Sequence, residues 1–331
     1  MSGISKPMDE QVQRRRFDLR ALFRDRPIIP LIILLLVLVA VVEILQPGIV
    51  SPRWAGNIVR FAVPLAILAA AQTLTMLTGG IDLSVGIVAT MTAFVMATQV
   101  AYMDPVLAIP LALAVAAVFG LANGIGVGIF RVHPLIMTLA VGLVVEGLLL
   151  VYQRQVLGGS VNLPEVITWL GAGRSFGNIP NSLLVFIPLA IFMWFLTKRT
   201  GFGRLLYALG DNEGATRLSG VRYWQVMIAL YVLSALLAGV GGLVYIGLIK
   251  ANSLSLAVPL LLPSVAAAVI GGTSIFGGRG GYGGTIIGAL VLQVIATLLL
   301  VLQVPEGTRR IVFGLIILGV TAAYTRITEE R

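Results

Sequence analysis

Long apolar runs, separated by short polar or glycine-rich breaks, fill this chain from residue 28 onward. A membrane-spanning helix needs about 20 mostly apolar residues. Runs of that kind lie near 28–46, 58–78, 83–101, 106–130, 134–153, 181–197, 225–249, 258–276, 285–304 and 310–325. The pattern predicts an all-α polytopic membrane protein of about ten transmembrane helices, some of them broken by Gly-rich segments. The stretch 61–101 carries no positive charge but is far too long for one helix, and Gly79-Gly80 divides it. The last run, Ile311 to Tyr324, is short for a span.

Composition agrees with a chain that lives in a bilayer. Of 331 residues, 58% are hydrophobic and 11% charged, with a mean hydropathy of +1.00. An ordinary soluble domain is roughly 45–50% apolar and about 25% charged. So few charges cannot cover a water-facing surface, which excludes a soluble enzyme, a secreted domain and a nucleic-acid binder. The net charge of +9 then reports topology, because positive residues stay on the cytoplasmic side. With ten spans and an inner N-terminus, sixteen Lys and Arg fall inside and seven outside. The expected organisation is a basic cytoplasmic tail (1–27), a transmembrane domain (28–325) and a cytoplasmic C-terminal tail (326–331). The tail could be read as a signal peptide, but its apolar run continues to Leu45 and no A-x-A site follows, so a retained first span is expected.

The chemistry that is absent narrows the function. Cysteine does not occur, and His133 is the single histidine. Disulfides, thiol catalysis and Cys-ligated metals are therefore impossible, a His-based site has no partners, and no metal or other cofactor is expected. His133 precedes Pro134, where a structural role is expected. Acids inside the spans are limited to Glu43, Asp82 and Glu146, too few and too far apart for a proton relay. No Gly-Lys pair occurs, so a Walker A phosphate loop is missing. Energy for any pumping comes from elsewhere.

Four motifs stand out. The first is Thr78-Gly79-Gly80-Ile81-Asp82-Leu83-Ser84-Val85-Gly86. Paired glycines allow a tight backbone turn, and Asp82 is placed either to cap the next helix or to touch substrate. The second runs from Gly271 through Thr273 and Ser274 to Gly284, with eight glycines in fourteen residues. That density forbids a straight helix, and broken helices at membrane depth line cavities or lie buried in protein. The third is Gly120, Gly124 and Gly128 with Asn123 beside them, a double G-x-x-x-G suited to close helix contact. Gln72 and Thr75 on the second span add polar positions, but packing is the more ordinary role for each.

The fourth motif lies in the long inner loop 198–224. Residues Gly210 to Gly220 read as a short helix from about Asn212 to Leu218, capped by Asp211 or Asn212 and stopped at Gly220. Ala215 and Leu218 share one face of it. Such a helix suits docking into a groove of a soluble partner. The outer loop 154–180 has Gly158-Gly159, Pro164, Trp169 and Pro180, consistent with a short amphipathic surface segment.

Taken together, TGGIDLSVG (78–86), Asn123-Gly124 through Thr138, GRLLYALGDNEGATRLSGV (203–221) and GGTSIFGGRGG (271–281) resemble the permease subunits of bacterial ABC sugar importers of the ribose/xylose/galactose type. The resemblance covers nearly the whole chain from about residue 28. It implies a type II-like importer permease in the bacterial inner membrane, paired with a second permease copy around a central pathway. It also implies cytoplasmic ABC ATPase subunits and a periplasmic sugar-binding protein as partners, and no enzymatic activity of the chain itself. On this reading Gln72, Thr75, Thr78, Gly79, Gly80, Asp82, Ser84, Asn123, Thr273 and Ser274 belong to the substrate pathway. Gly210, Asn212, Glu213, Ala215, Thr216, Leu218, Ser219 and Gly220 form the loop that couples to the ATPase. Leu262-Pro263-Ser264-Val265-Ala266 and Glu146 depart from the family's usual residues, so pentose, hexose, polyol and autoinducer-type cargoes stay open. The competing readings are a permease for branched-chain amino acids or nucleosides, and a self-sufficient secondary transporter.

Overall fold

The computed structural model describes residues 28–156 and 163–305, and beyond them 307–309, 311–312, 314–315 and 318–319. The two tails, and most of the run 310–325, lie outside the described residues. Among the described residues six helices are long and apolar enough to cross a membrane. These are α1 (Ile28–Leu45), α2 (Pro52–Leu77), α4 (Pro105–Gly128), α5 (Pro134–Gln155), α10 (Tyr223–Ile249) and α12 (Tyr282–Val301). A seventh span is made only if α7 (Leu183–Arg199) and α8 (Gly201–Asp211), which meet at a 65° bend, are taken together.

Punctuation in the sequence sets many of these ends. Ser51, Asp104 and His133 each stand before a proline that occupies the first helical turn, where its missing N–H costs nothing. The Ser51 hydroxyl accepts from the Trp54 N–H (3.2 Å) and the Asp104 carboxylate from the Val106 N–H (2.8 Å). Both satisfy donors that a helix start leaves free.

Two expected spans are helices too short to cross alone. Helix α3 (Val85–Gln99) has 15 residues and α11 (Leu261–Ile270) has 10, lengths of about 22 Å and 15 Å against a hydrocarbon core of about 30 Å. Glycine pairs explain both limits. The first pair ends α2 at Leu77 and delays the next helix to Val85. The second ends α11 at Ile270, six residues before the expected end, with Gly272 at φ +86°. Helix α3 is buried on every side from Val85 to Thr98.

Helix α10 is the central element, packed along α4, α2 and α3. The double G-x-x-x-G explains why. A Cβ at Gly120 would lie 2.5 Å from the Tyr231 carbonyl, one at Gly124 2.6 Å from Ile228 Cα and one at Gly128 3.0 Å from the Trp224 carbonyl. The stripe therefore brings two backbones into contact, where small-residue packing is the main attraction between helices in lipid. The loop expected outside holds α6 (Glu165–Ala172) and a hairpin of two-residue strands, β1 (Arg174–Ser175) and β2 (Ile179–Pro180). Helix α6 is more than a surface segment: Ile167 is buried and Gly171 packs on the α10 backbone at Val244–Leu248.

Candidate functional site

Two clusters collect the residues that the motifs single out. The first surrounds the turn between α2 and α3, where Asp82 is almost completely buried. The Ser84 N–H and hydroxyl both donate to Asp82 Oδ1, at 3.0 and 2.6 Å, and the Ser234 hydroxyl donates to Oδ2 at 2.8 Å. The Gln72 amide bridges back to the same residue, donating to the Asp82 carbonyl (2.7 Å) and accepting from its N–H (3.3 Å). Asn123 on α4 donates to the Ser84 hydroxyl at 2.9 Å. Thr138 on α5 donates to the Ile81 carbonyl and accepts from the Leu83 N–H.

The physics of this cluster is that of a helix start taken inside a membrane. The first N–H groups of α3 carry partial positive charge, and a carboxylate beside them is stabilised only when its oxygens are all engaged. Ser84 at the start of α3 and Ser234 on α10 engage them, while Gln72, Asn123 and Thr138 hold the turn around them. Ser234 does not stand out in the sequence, since a single hydroxyl in an apolar run carries no periodic signal; Thr138 closes one of the strings that carry the resemblance but is not among the expected pathway residues. The Thr75 hydroxyl donates to the carbonyls of Ala71 and Gln72, and the Thr78 hydroxyl to that of Thr75. Both hydroxyls thus bond within the end of α2. Gly80 leaves room for the Tyr231 hydroxyl, which would lie 3.2 Å from a Cβ there.

The second cluster joins three motifs that are far apart in sequence. Gly277 (φ +91°) and Gly278 (φ +70°) turn the glycine-rich loop through the left-handed region that side chains disfavour. The Gly278 N–H donates to the Leu77 carbonyl at the end of α2 (3.0 Å). A Cβ on Gly277 would fall 2.8 Å from the Gly210 carbonyl and 2.9 Å from the Gly79 nitrogen. Gly210 in turn sits against Leu77 and Gly278. Tyr207 on α8 donates to the Gly280 carbonyl (2.9 Å). Ser274 shapes the loop from within: its N–H donates to the Arg279 carbonyl and its hydroxyl accepts from the Phe276 N–H. Thr273 is buried against Gly280.

From this junction projects α9 (Glu213–Leu218). The Asn212 side chain, not that of Asp211, caps it by accepting from the Ala215 N–H (2.9 Å), and Gly220 (φ +88°) lies just past its end. Thr216 fastens it to α8 by donating to the Ala208 carbonyl, and the Ser219 hydroxyl donates to the Ala215 carbonyl. Glu213 pairs with Arg131 at 2.6 Å, and Arg131 lies over the Tyr223 ring at 3.7 Å. The α4–α5 connection and the start of α10 are therefore tied to α9. Ala215 and Leu218 are exposed, the latter at 91%. Helix α8 was not expected from the sequence. Its buried Gly203, Leu206 and Leu209 follow the three-residue spacing of a helix lying on the bundle. Among the described residues no three His, Asp or Glu side chains come together as metal ligands.

The chain can be set beside known proteins. It is 34% identical to the ribose import permease protein of Escherichia coli (strain K12) over 312 residues, covering 93% of this chain and 96% of the relative. The corresponding protein of Bacillus subtilis (strain 168) is 35% identical over 287 residues, covering 86% of this chain and 88% of the relative. A fructose import permease protein of Rhizobium meliloti is 31% identical over 298 residues, covering 88% of this chain and 82% of the relative. No solved structure matches it. Residues 54–321 match the family described as branched-chain amino acid transport system / permease component, and a multi-pass membrane chain matched over that extent belongs to that permease family.

Proposed function

We propose that this chain is the non-catalytic permease subunit of an ATP-driven, binding-protein-dependent importer of a monosaccharide or related polyol. The observation that carries this reading is the junction of Gly210, Gly277 and Gly79, where an exposed helix is joined by backbone contact to both broken-helix turns. A push on α9 from a cytoplasmic ATPase is transmitted rigidly to the end of α2 and to the glycine-rich loop. From there it reaches the Asp82 cluster, whose residues hold the pathway walls in place. The cycle is a rocking of helices between outward- and inward-facing states around a fixed site. A second permease copy and a periplasmic binding protein complete the complex. The identities to ribose and fructose import permeases support the sugar cargo.

The direct test is reconstitution in proteoliposomes with the cognate ATPase and binding protein, using radiolabelled ribose and fructose, with leucine as the competing cargo. ATP-dependent uptake of a sugar is expected only when all components are present. Uptake by the chain alone down a gradient would establish a secondary transporter instead, and ATP-driven uptake of leucine alone would move the cargo to amino acids.

A companion variant isolates docking. Gly214 is exposed on α9, and a Cβ there meets only Asn212 Oδ1 at 3.4 Å. Gly214→Trp is therefore expected to leave membrane insertion normal while lowering uptake about tenfold or more, the effect of roughly 1.4 kcal/mol at the docking face. Normal uptake by that variant would remove α9 from the coupling role.

A further inference from the structure

Helix α5 has an inner and an outer face. Thr138, Val141, Val145 and Leu149 are buried at helical spacing, while Leu139, Leu143, Glu146 and Leu150 are exposed. Glu146 lies about 18 Å along a helix of about 33 Å, well inside the hydrocarbon thickness. It makes no hydrogen bond or ion pair with any described residue. A carboxylate at this depth, turned outward among leucines, is costly against lipid chains, and such groups face water-filled cavities or partners. The inner side of the same helix abuts the Asp82 cluster: Thr138 bonds to the turn, and a Cβ at Gly142, one turn before Glu146, would sit 3.7 Å from Ser84 Cα. Asp82 itself is enclosed, with both oxygens taken by Ser84 and Ser234. The chain therefore holds two carboxylates on this part of the bundle, one fully engaged and one free.

We infer that Glu146 lines the aqueous cargo path and is the carboxylate that binds cargo, as acceptor for the hydroxyls of a neutral polyhydroxylated molecule. The inference rests on the permease reading and adds a cargo-contacting residue to it. Ionised Glu146 is acceptor-only, and hydrogen bonds to a charged acceptor are about twice as strong as neutral ones. It therefore matches a ligand rich in O–H donors, and its charge repels sugar acids, which sets a selectivity for neutral over anionic cargo.

The absence of cysteine from the chain makes the test clean. In the complete reconstituted transporter, Glu146→Cys supplies a single thiol in this subunit, read with a membrane-impermeant cationic methanethiosulfonate. Leu36→Cys, on the exposed side of the peripheral helix α1, is the lipid-facing control. Glu146→Cys is expected to react in at least one nucleotide state, and more slowly with saturating ribose or fructose, while Leu36→Cys stays unreactive. Glu146→Gln is expected to raise the KM for uptake about tenfold at normal membrane abundance, and to weaken discrimination against the corresponding sugar acids. An unreactive thiol in every state, in a transporter whose unaltered form imports sugar, overturns the inference and leaves the permease reading intact. Unchanged KM and discrimination in both Glu146→Gln and Glu146→Leu overturn it equally. Absence of ATP-dependent sugar uptake by the unaltered complex overturns the permease reading itself, a result independent of the thiol measurement.

Discussion

Asp82→Ala is expected to lower sharply the amount of folded protein recovered from the membrane, and with it nearly all uptake. Three donors lose their acceptor at once: the Ser84 N–H, the Ser84 hydroxyl and the Ser234 hydroxyl. Each buried donor left unsatisfied costs about 1–3 kcal/mol, more where the lost partner is charged. The combined loss is comparable to the whole stability of a typical domain, about 5–15 kcal/mol. The start of α3 also loses the negative charge that complements its free N–H groups. Asp82→Asn keeps one acceptor oxygen and brings an NH2 into a site already filled with donors, so it falls between alanine and the native residue. Ser234→Ala vacates little volume but leaves Asp82 Oδ2 without its donor, an expected cost of about 1–3 kcal/mol, still below the loss of all three bonds. Detergent-extracted abundance and thermal midpoint check the order, native above Ser234→Ala above Asp82→Asn above Asp82→Ala. Normal abundance and midpoint for the alanine variant would show that the cluster carries no structural weight. Uptake is then normalised to folded protein, which separates a fold defect from a transport defect.

The sequence made the bundle legible because hydropathy is a sum over many residues, and the long runs of α1, α2, α4, α5, α10 and α12 dominate that sum. It overstated α3 and α11 for the same reason. Apolar residues on either side of a glycine pair count toward a span whether or not the helix continues: the pairs mark the breaks in the sequence, but how far each helix stops short of a span is set by the backbone at Gly79 and Gly272. Helix α8 escaped notice because Lys198, Arg199 and Arg204 make its neighbourhood read as a solvated loop, whereas its leucines at 206 and 209 pack onto the bundle. The α9 cap and stop were legible, since Asn and Gly act locally.

Of the candidate pathway residues, Gln72, Asp82, Ser84 and Asn123 do converge, but their partners Thr138 and Ser234 come from helices that only tertiary packing brings near. The same holds for Arg131, whose role as partner of Glu213 depends on a separation of 82 residues. Long-range polar pairing in a bundle is set by helix placement. No local pattern encodes it.

Gly210→Ala is the variant expected to damage coupling most directly. Gly210 closes α8 where three backbone segments meet, and an added methyl group would run into the Leu77 carbonyl and the Gly278 nitrogen. Those two groups are hydrogen-bonded to each other at 3.0 Å. The methyl group must therefore break that bond or push α8 away from α2. Either response is overpacking against backbone, which costs about 1–3 kcal/mol and has no flexible side chain to absorb it. The α10–α4 contact and the Asp82 cluster lie elsewhere in the bundle, so insertion and most of the thermal stability are retained. What changes is the distance between the exposed α9 and the turn at Gly79. ATPase activity in the reconstituted complex is expected to persist while uptake falls about tenfold or more, a ratio that about 1.4 kcal/mol produces. Gly214→Ala serves as the matched control, since its methyl group meets only Asn212 Oδ1 at ordinary distance, and it should import normally. A larger side chain at the junction, Gly210→Val, should deepen the uncoupling in proportion to its bulk. Equal uptake by Gly210→Ala and Gly214→Ala would mean that movement of α9 reaches the membrane helices by another route, through the Arg131–Glu213 pair and α10, and charge reversal at that pair would then carry the effect.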